Sequence, residues 1–236
     1  MKAVINYGHG PKNIGNDPGA IGPTGYQEAT QNKEIGELVA SKLRANGWQI
    51  LAIQDGDLWD VTNASNAWGP DYFLSIHANS FADSSAHGIE TLALSAGGFG
   101  EKMAKEIQKE LVSATKLTDR GVKYQNLHVL RETNCPAALV EVGFISNPTE
   151  EALMKQSSFD ETVASAICRG FSKAVGVAYT ETSKPVVVPP VPSTPTIDHD
   201  VNLVVWCPAS EALKAIKGIN ELGYYVEQFP LKLRRD

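Results

Sequence analysis

The sequence predicts an α/β domain on a largely parallel sheet, then a proline-rich spacer and a small C-terminal βαβ module. Three observations carry this reading. Short apolar runs alternate with segments whose apolar residues recur at helical spacing, which is the pattern of strands interleaved with helices. One run, Ala137–Val142, is apolar without alternation, as in a strand covered on both faces. Five prolines then crowd the stretch from Thr182 to Thr196 and end the first pattern, because proline neither donates to a sheet nor continues a helix.

Taken in order, Lys2–Asn6 is the first short apolar strand. Ile35, Leu38, Val39 and Leu43 share one helix face, and Asn46-Gly47 closes that helix. Trp48–Ile53 and Tyr72–Ile76 read as strands, the second followed at once by His77-Ala78-Asn79. Ile89–Leu94 is a strand bounded by glycines. Met103, Ile107, Leu111 and Ala114 form a second helix face, and Val163, Ile167, Phe171 and Val175 a third. These elements make a domain over residues 1–180.

Residues 181–199 read as an extended, semi-rigid linker. Residues 200–236 then show a strand (Val201–Cys207), a helix (Ser210–Glu221) and a strand (Tyr224–Phe229). One βαβ unit is small for independent stability, and self-association through this module is one way to complete a core.

Composition narrows the function classes. The chain has 236 residues, is 42% hydrophobic and carries a net charge of −6, so wholesale disorder is excluded and nucleic acid is disfavoured as a partner. No apolar run reaches the roughly 20 residues needed to span a bilayer, so no membrane insertion is expected. The start, Met-Lys-Ala-Val-Ile-Asn, lacks the apolar core of a signal peptide, so synthesis in the cytoplasm is expected. The three cysteines, Cys135, Cys168 and Cys207, are too widely spaced for a disulfide framework or a CxxC metal site, and Cys168 falls on an apolar helix face, where core packing is expected.

Several metal-competent side chains fall beside predicted strand ends. His9 follows the first strand within Gly8-His9-Gly10, Glu28 precedes a helix, His77 follows Ser75-Ile76, and Glu141 lies in the apolar run after Val140. The carboxyl ends of strands in an open α/β sheet form a ligand crevice, so distant residues can converge there. Two histidines and a carboxylate suit a catalytic zinc, and a second carboxylate nearby can serve as general base. Spacings of 19 (9 to 28) and 49 (28 to 77) match no short zinc motif, and each histidine alone is as readily structural. Asn79, two residues after His77, is placed to serve a substrate amide or to cap locally.

The segments Gly8-His9-Gly10, Asp17-Pro18-Gly19-Ala20, Glu28 with Asn32, Ser75-Ile76-His77-Ala78-Asn79, Arg120-Gly121-Val122-Lys123, Val129-Leu130-Arg131 and Leu139–Asn147 occur in one order. Together they resemble the zinc-dependent N-acetylmuramoyl-L-alanine amidases of the Amidase_3 family, over about residues 1–177. The resemblance implies a sheet of about six strands flanked by helices, zinc held by His9, Glu28 and His77, and Glu141 as the catalytic glutamate. It implies peptidoglycan as substrate, cut between N-acetylmuramic acid and the L-alanine of the stem peptide. The sequence departs from the family at Asn6-Tyr7-Gly8-His9, where a proline often precedes the glycine, and in Leu58–Trp68, which lacks an arginine often found there.

A cytoplasmic start, a compact catalytic domain, a proline linker and a small module fit a phage endolysin that acts on the wall after release; a mother-cell amidase of sporulation is the other fit. Two further functions stand beside the amidase: a zinc peptidase acting on stem peptides, and a wall-binding protein without catalysis. His87, His128 and His199 are expected to be non-catalytic, His128 on the surface or lining a groove. Gly97-Gly98-Phe99-Gly100 is expected to be a turn before a helix rather than a phosphate loop. Trp59 and Trp68 are core or carbohydrate-facing, with core favoured.

Overall fold

The computed structural model describes residues 1–12 and 15–181. The expected linker from 182 onward, the βαβ module at 200–236 and its self-association lie outside the described residues.

A six-stranded sheet forms the centre of the fold. Its strands are β1 (Lys2–Tyr7), β4 (Gln49–Ile53), β5 (Tyr72–Asn79), β6 (Ile89–Ala93), β7 (Asp119–Tyr124) and β8 (Ala137–Phe144), in the order β4-β1-β5-β8-β6-β7. All neighbours run parallel except β6 against β8. A short antiparallel pair, β2 (Gly10–Lys12) and β3 (Gly15–Asp17), follows β1. The helices are α1 (Glu28–Ala45), α2 (Leu58–Trp68), α3 (Phe99–Thr115), α4 (His128–Arg131), α5 (Pro148–Met154) and α6 (Ser157–Val175). No helix among the described residues is long and apolar enough to cross a membrane.

Strand alternation divides the interior in two. Ile5, Leu74, Ile76 and Val140 meet Ile35 of α1, Ile107 of α3 and Ile167 of α6 in the larger core. Val4, Phe73, Leu92 and Leu139 meet Val61 of α2 with Val129 and Leu130 of α4 in the smaller one. Cys168 is fully buried in the larger core, as expected from its helix face.

Local signals explain the helix ends. Asp57 caps α2 by accepting from the backbone N–H of Trp59 and Asp60, and Asn147 caps α5 ahead of Pro148. Gly98 precedes α3, so the glycine-rich stretch is a turn into a helix, as the sequence suggests.

The structure amends the sequence reading in three places. β5 runs on past Ile76 to Asn79, so His77 belongs to the strand rather than to a loop behind it, and β8 extends to Phe144, two residues beyond the expected run that holds Glu141. β7 and the β2–β3 pair have no counterpart among the expected elements. Trp68 packs against the smaller core, but Trp59 is exposed and sets the His128 ring edge-on against its own. Trp59 sits in the first turn of α2, next to the Asp57 cap and ahead of the residues that reach the core.

Candidate active site

The path from β1 into the site turns on the backbone. His9 has φ of 61°, a left-handed conformation uncommon outside glycine, between Gly8 and Gly10. Gly8 donates its N–H to the Ile76 carbonyl, and a Cβ there would lie 2.1 Å from the His77 ring. Tyr7, where the resembling family often has proline, is buried against Gly36 of α1, whose missing side chain makes the room.

His9, Glu28 and His77 converge. One donor atom from each lies within 4.8 Å of the others. Glu28 is the first residue of α1, and its Oε1 lies 3.3 Å from His9 Nε2 and 2.9 Å from His77 Nδ1. Its other oxygen accepts from the Ala20 N–H at 2.9 Å. His9 Nδ1 lies 2.9 Å from Asp17 Oδ2, a contact that fixes the ring and turns Nε2 toward Glu28. Asn32 donates to the Gly8 carbonyl at 2.9 Å, fastening α1 to the turn that bears His9.

Charge follows this packing. Burial opposes ionisation of Glu28, but the hydrogen bonds from His77 and His9 prevail and hold its carboxyl well below the usual carboxylate range. The Glu28 hydrogen bond is the main cause that raises His9, to about 9.

Glu141 sits on β8 directly opposite His77 of β5 in register, and opposite Glu90 of β6 on its other side. Its Oε2 is buried and has no hydrogen-bond partner among the described residues. Burial, then the charges of Glu28 and Glu90, push the Glu141 carboxyl well above its ordinary range. Two histidines and a carboxylate with converging lone pairs, one ring oriented by Asp17, fit a divalent metal ion that prefers nitrogen and oxygen ligands.

Asn79, at the end of β5, donates to Glu90 Oε1 at 2.9 Å and accepts from the Ser80 N–H at 2.8 Å. His128 contacts Thr62 and Trp59, away from the metal-competent cluster. Asp17 and Asn32 occur in the segments that carry the resemblance, but no role for them follows from sequence. Glu90 escapes sequence reasoning altogether; its signal is a carboxylate within the buried strand Ile89–Ala93. Two further carboxylates brace the rim. Glu150 of α5 accepts from the Gly88 and Phe144 N–H groups, and Glu151 from the Thr24 N–H.

Comparison with known proteins gives the family. The family model Amidase_3, described as N-acetylmuramoyl-L-alanine amidase, matches residues 3–173. The chain is 35% identical over 190 residues to the sporulation-specific N-acetylmuramoyl-L-alanine amidase of Bacillus subtilis, covering 78% of this chain and 71% of that one. It is 29% identical to the Escherichia coli N-acetylmuramoyl-L-alanine amidase AmiA, over 71% of this chain and 73% of that one. The solved catalytic domain of the amidase CwlV from Bacillus (Paenibacillus) polymyxa superposes with a TM-score of 0.69 at 33% identity, covering 75% of this chain and 99% of that one. A Clostridium difficile amidase superposes with a TM-score of 0.67 at 32% identity, over 74% and 96% of the two chains. The six-stranded fold, the converging His-Glu-His set and these matches together place the chain in the N-acetylmuramoyl-L-alanine amidase family.

Proposed function

We infer that this chain hydrolyses peptidoglycan at the amide between N-acetylmuramic acid and the L-alanine of the stem peptide. Family membership supplies the reaction, and one observation carries the assignment to residues. That observation is the buried, unpartnered Glu141 oxygen, one strand over from His77.

The proposed metal is zinc, held by His9, Glu28 and His77. Zinc bound there would polarise the scissile carbonyl and lower the pKa of a water ligand to about 7. Glu141 then accepts a proton from the attacking water and returns it to the nitrogen of the departing L-alanine. The C–N bond breaks, a carboxyl forms on the lactyl side, and the stem peptide leaves with a free amine. Asp17 keeps His9 Nδ1 engaged, so Nε2 retains its lone pair. Asn79 is proposed as a substrate contact: it retains one amide hydrogen and one carbonyl lone pair beyond its bonds to Glu90 and Ser80.

Mass spectrometry of peptidoglycan digested by the purified protein tests this. New amino groups on L-alanine, abolished by chelation and restored by zinc, are expected. Cuts confined to bonds within the stem peptide would favour the peptidase reading instead. Intact walls after digestion would favour the wall-binding one. For setting, the layout of catalytic domain, proline linker and small module supports an endolysin. Similarity to the sporulation-specific amidase supports a mother-cell enzyme.

A further inference from the structure

A row of polar residues crosses four strands. His77 of β5 lies opposite Glu141 of β8, Glu141 opposite Glu90 of β6, and β7 places Arg120 beside Glu90, where the register shifts. With strands about 4.8 Å apart, the Arg120 backbone lies roughly 10 Å from that of Glu141, within reach of a long side chain directed back along the row. The side chain is so directed: Arg120 Nε donates to Glu90 Oε2 at 2.9 Å.

The guanidinium is held in place from three sides. Besides Glu90, Nη1 donates to the His87 carbonyl at 3.3 Å, and the group lies 4.6 Å from the centre of the Phe144 ring. The side chain is nevertheless 37% exposed, and Nη2 has no hydrogen bond among the described residues. A single Nε–carboxylate contact is enough to neutralise Glu90. The open edge of a planar fork, immobilised on Glu90 one strand over from Glu141, is preorganised for a further anion, and a carboxylate matches its geometry. Glu28, Glu90 and Glu141 would otherwise repel an anionic peptide at this place.

We propose that Arg120 recognises a carboxylate of the stem peptide, on the residue that follows L-alanine, and so sets substrate preference. This rests on the amidase reading. In an extended dipeptide that carboxylate lies up to about 7 Å from the scissile nitrogen, a reach comparable to the separation between Glu141 and the Arg120 fork.

The test uses the full chain and two synthetic substrates. Both are N-acetylmuramoyl-L-alanyl dipeptides whose second residue carries its α-carboxyl either free or amidated. Wild type is expected to favour the acid in kcat/KM by about tenfold or more, the worth of a charge-assisted hydrogen bond. Arg120→Gln should bring the acid-to-amide ratio close to one. Arg120→Lys, which keeps a charge for Glu90 but loses the fork, should lower the ratio severalfold. The ratio cancels any general damage to the enzyme. A wild-type ratio near one, or an unchanged ratio in both variants, would overturn the subsite while leaving the amidase reading intact. If wild type cleaves neither substrate, the amidase reading fails and the subsite with it.

Discussion

Glu28 and Glu141 are both carboxylates in one polar pocket, but their surroundings separate their roles. Glu28 is bound by two imidazoles and a backbone N–H, whereas one oxygen of Glu141 is bound by nothing among the described residues. Glu141→Gln is therefore expected to keep the metal and lose about 10²–10⁴-fold in turnover, read by metal content beside a rate. Glu28→Ala should lose the metal itself. Asp160, whose Oδ1 accepts from Gln31 at 2.7 Å, allows a test of pH dependence. Burial pushes its carboxyl up to about 6. The folded state then holds the proton more tightly than the unfolded chain, so stability present at low pH is lost as pH rises from about 4 through 6. Asp160→Asn should be about 1–2 kcal/mol more stable than wild type at pH 7 and no more stable near pH 3.5, by denaturant melts at both values. The metal-competent trio and Glu141 were legible in sequence because ordered flanking segments surround them. Asp17 and Glu90 were not, since a carboxylate that orients a ring or faces another strand acts through contacts between elements distant in the chain.

Elements were legible where periodicity was strong and obscure where the chain lies at an edge. The helix faces of α1, α3 and α6 and the apolar runs of β1, β5 and β8 carry the core and show its period. β7 is an edge strand with the polar sequence Asp-Arg-Gly-Val-Lys-Tyr, four of its six residues exposed, and nothing in its pattern separates it from a loop. Its Lys and Arg suit an edge that must not pair with another chain. The close approach of α6 to α3 is also invisible in sequence, although Gly170 permits it. A Cβ at Gly170 would lie 2.5 Å from the Ile107 Cα and 2.7 Å from the Glu106 carbonyl, both backbone atoms that cannot swing aside. Gly170→Ala is thus expected to destabilise by about 1–3 kcal/mol despite alanine's better helix propensity, measured by thermal or denaturant melts. An unchanged or higher stability would show that the two helices slide apart without cost.

For the whole molecule, the question is where the catalytic unit ends. After α6 the chain does not simply leave the surface. Thr180 exchanges hydrogen bonds with Asn46, its N–H to Oδ1 and its carbonyl from Nδ2. Glu181 accepts from Lys42 of α1, Ser165 and Arg169 of α6, and the Tyr179 hydroxyl. The Lys42 side chain is only 5% exposed and is shared between Glu161 and Glu181. Removing Glu181 leaves that buried ammonium one acceptor short, at a cost of about 1–2 kcal/mol. A chain ending at 178 should accordingly melt lower than one ending at 181. The chain ending at 181 contains all the proposed metal ligands, Glu141 and these ties. We expect it to stay folded, bind metal and cleave soluble muropeptides at close to the full-length rate. Residues 182–236 are proposed to serve attachment or assembly, since His199 and Cys207 offer no metal set of their own. Sedimentation with intact walls should then fall for the shorter chain while its rate on soluble fragments holds. If that rate collapses in a protein that still melts cooperatively, the last 55 or so residues belong to the active site, and the proposed division at the proline-rich stretch is wrong.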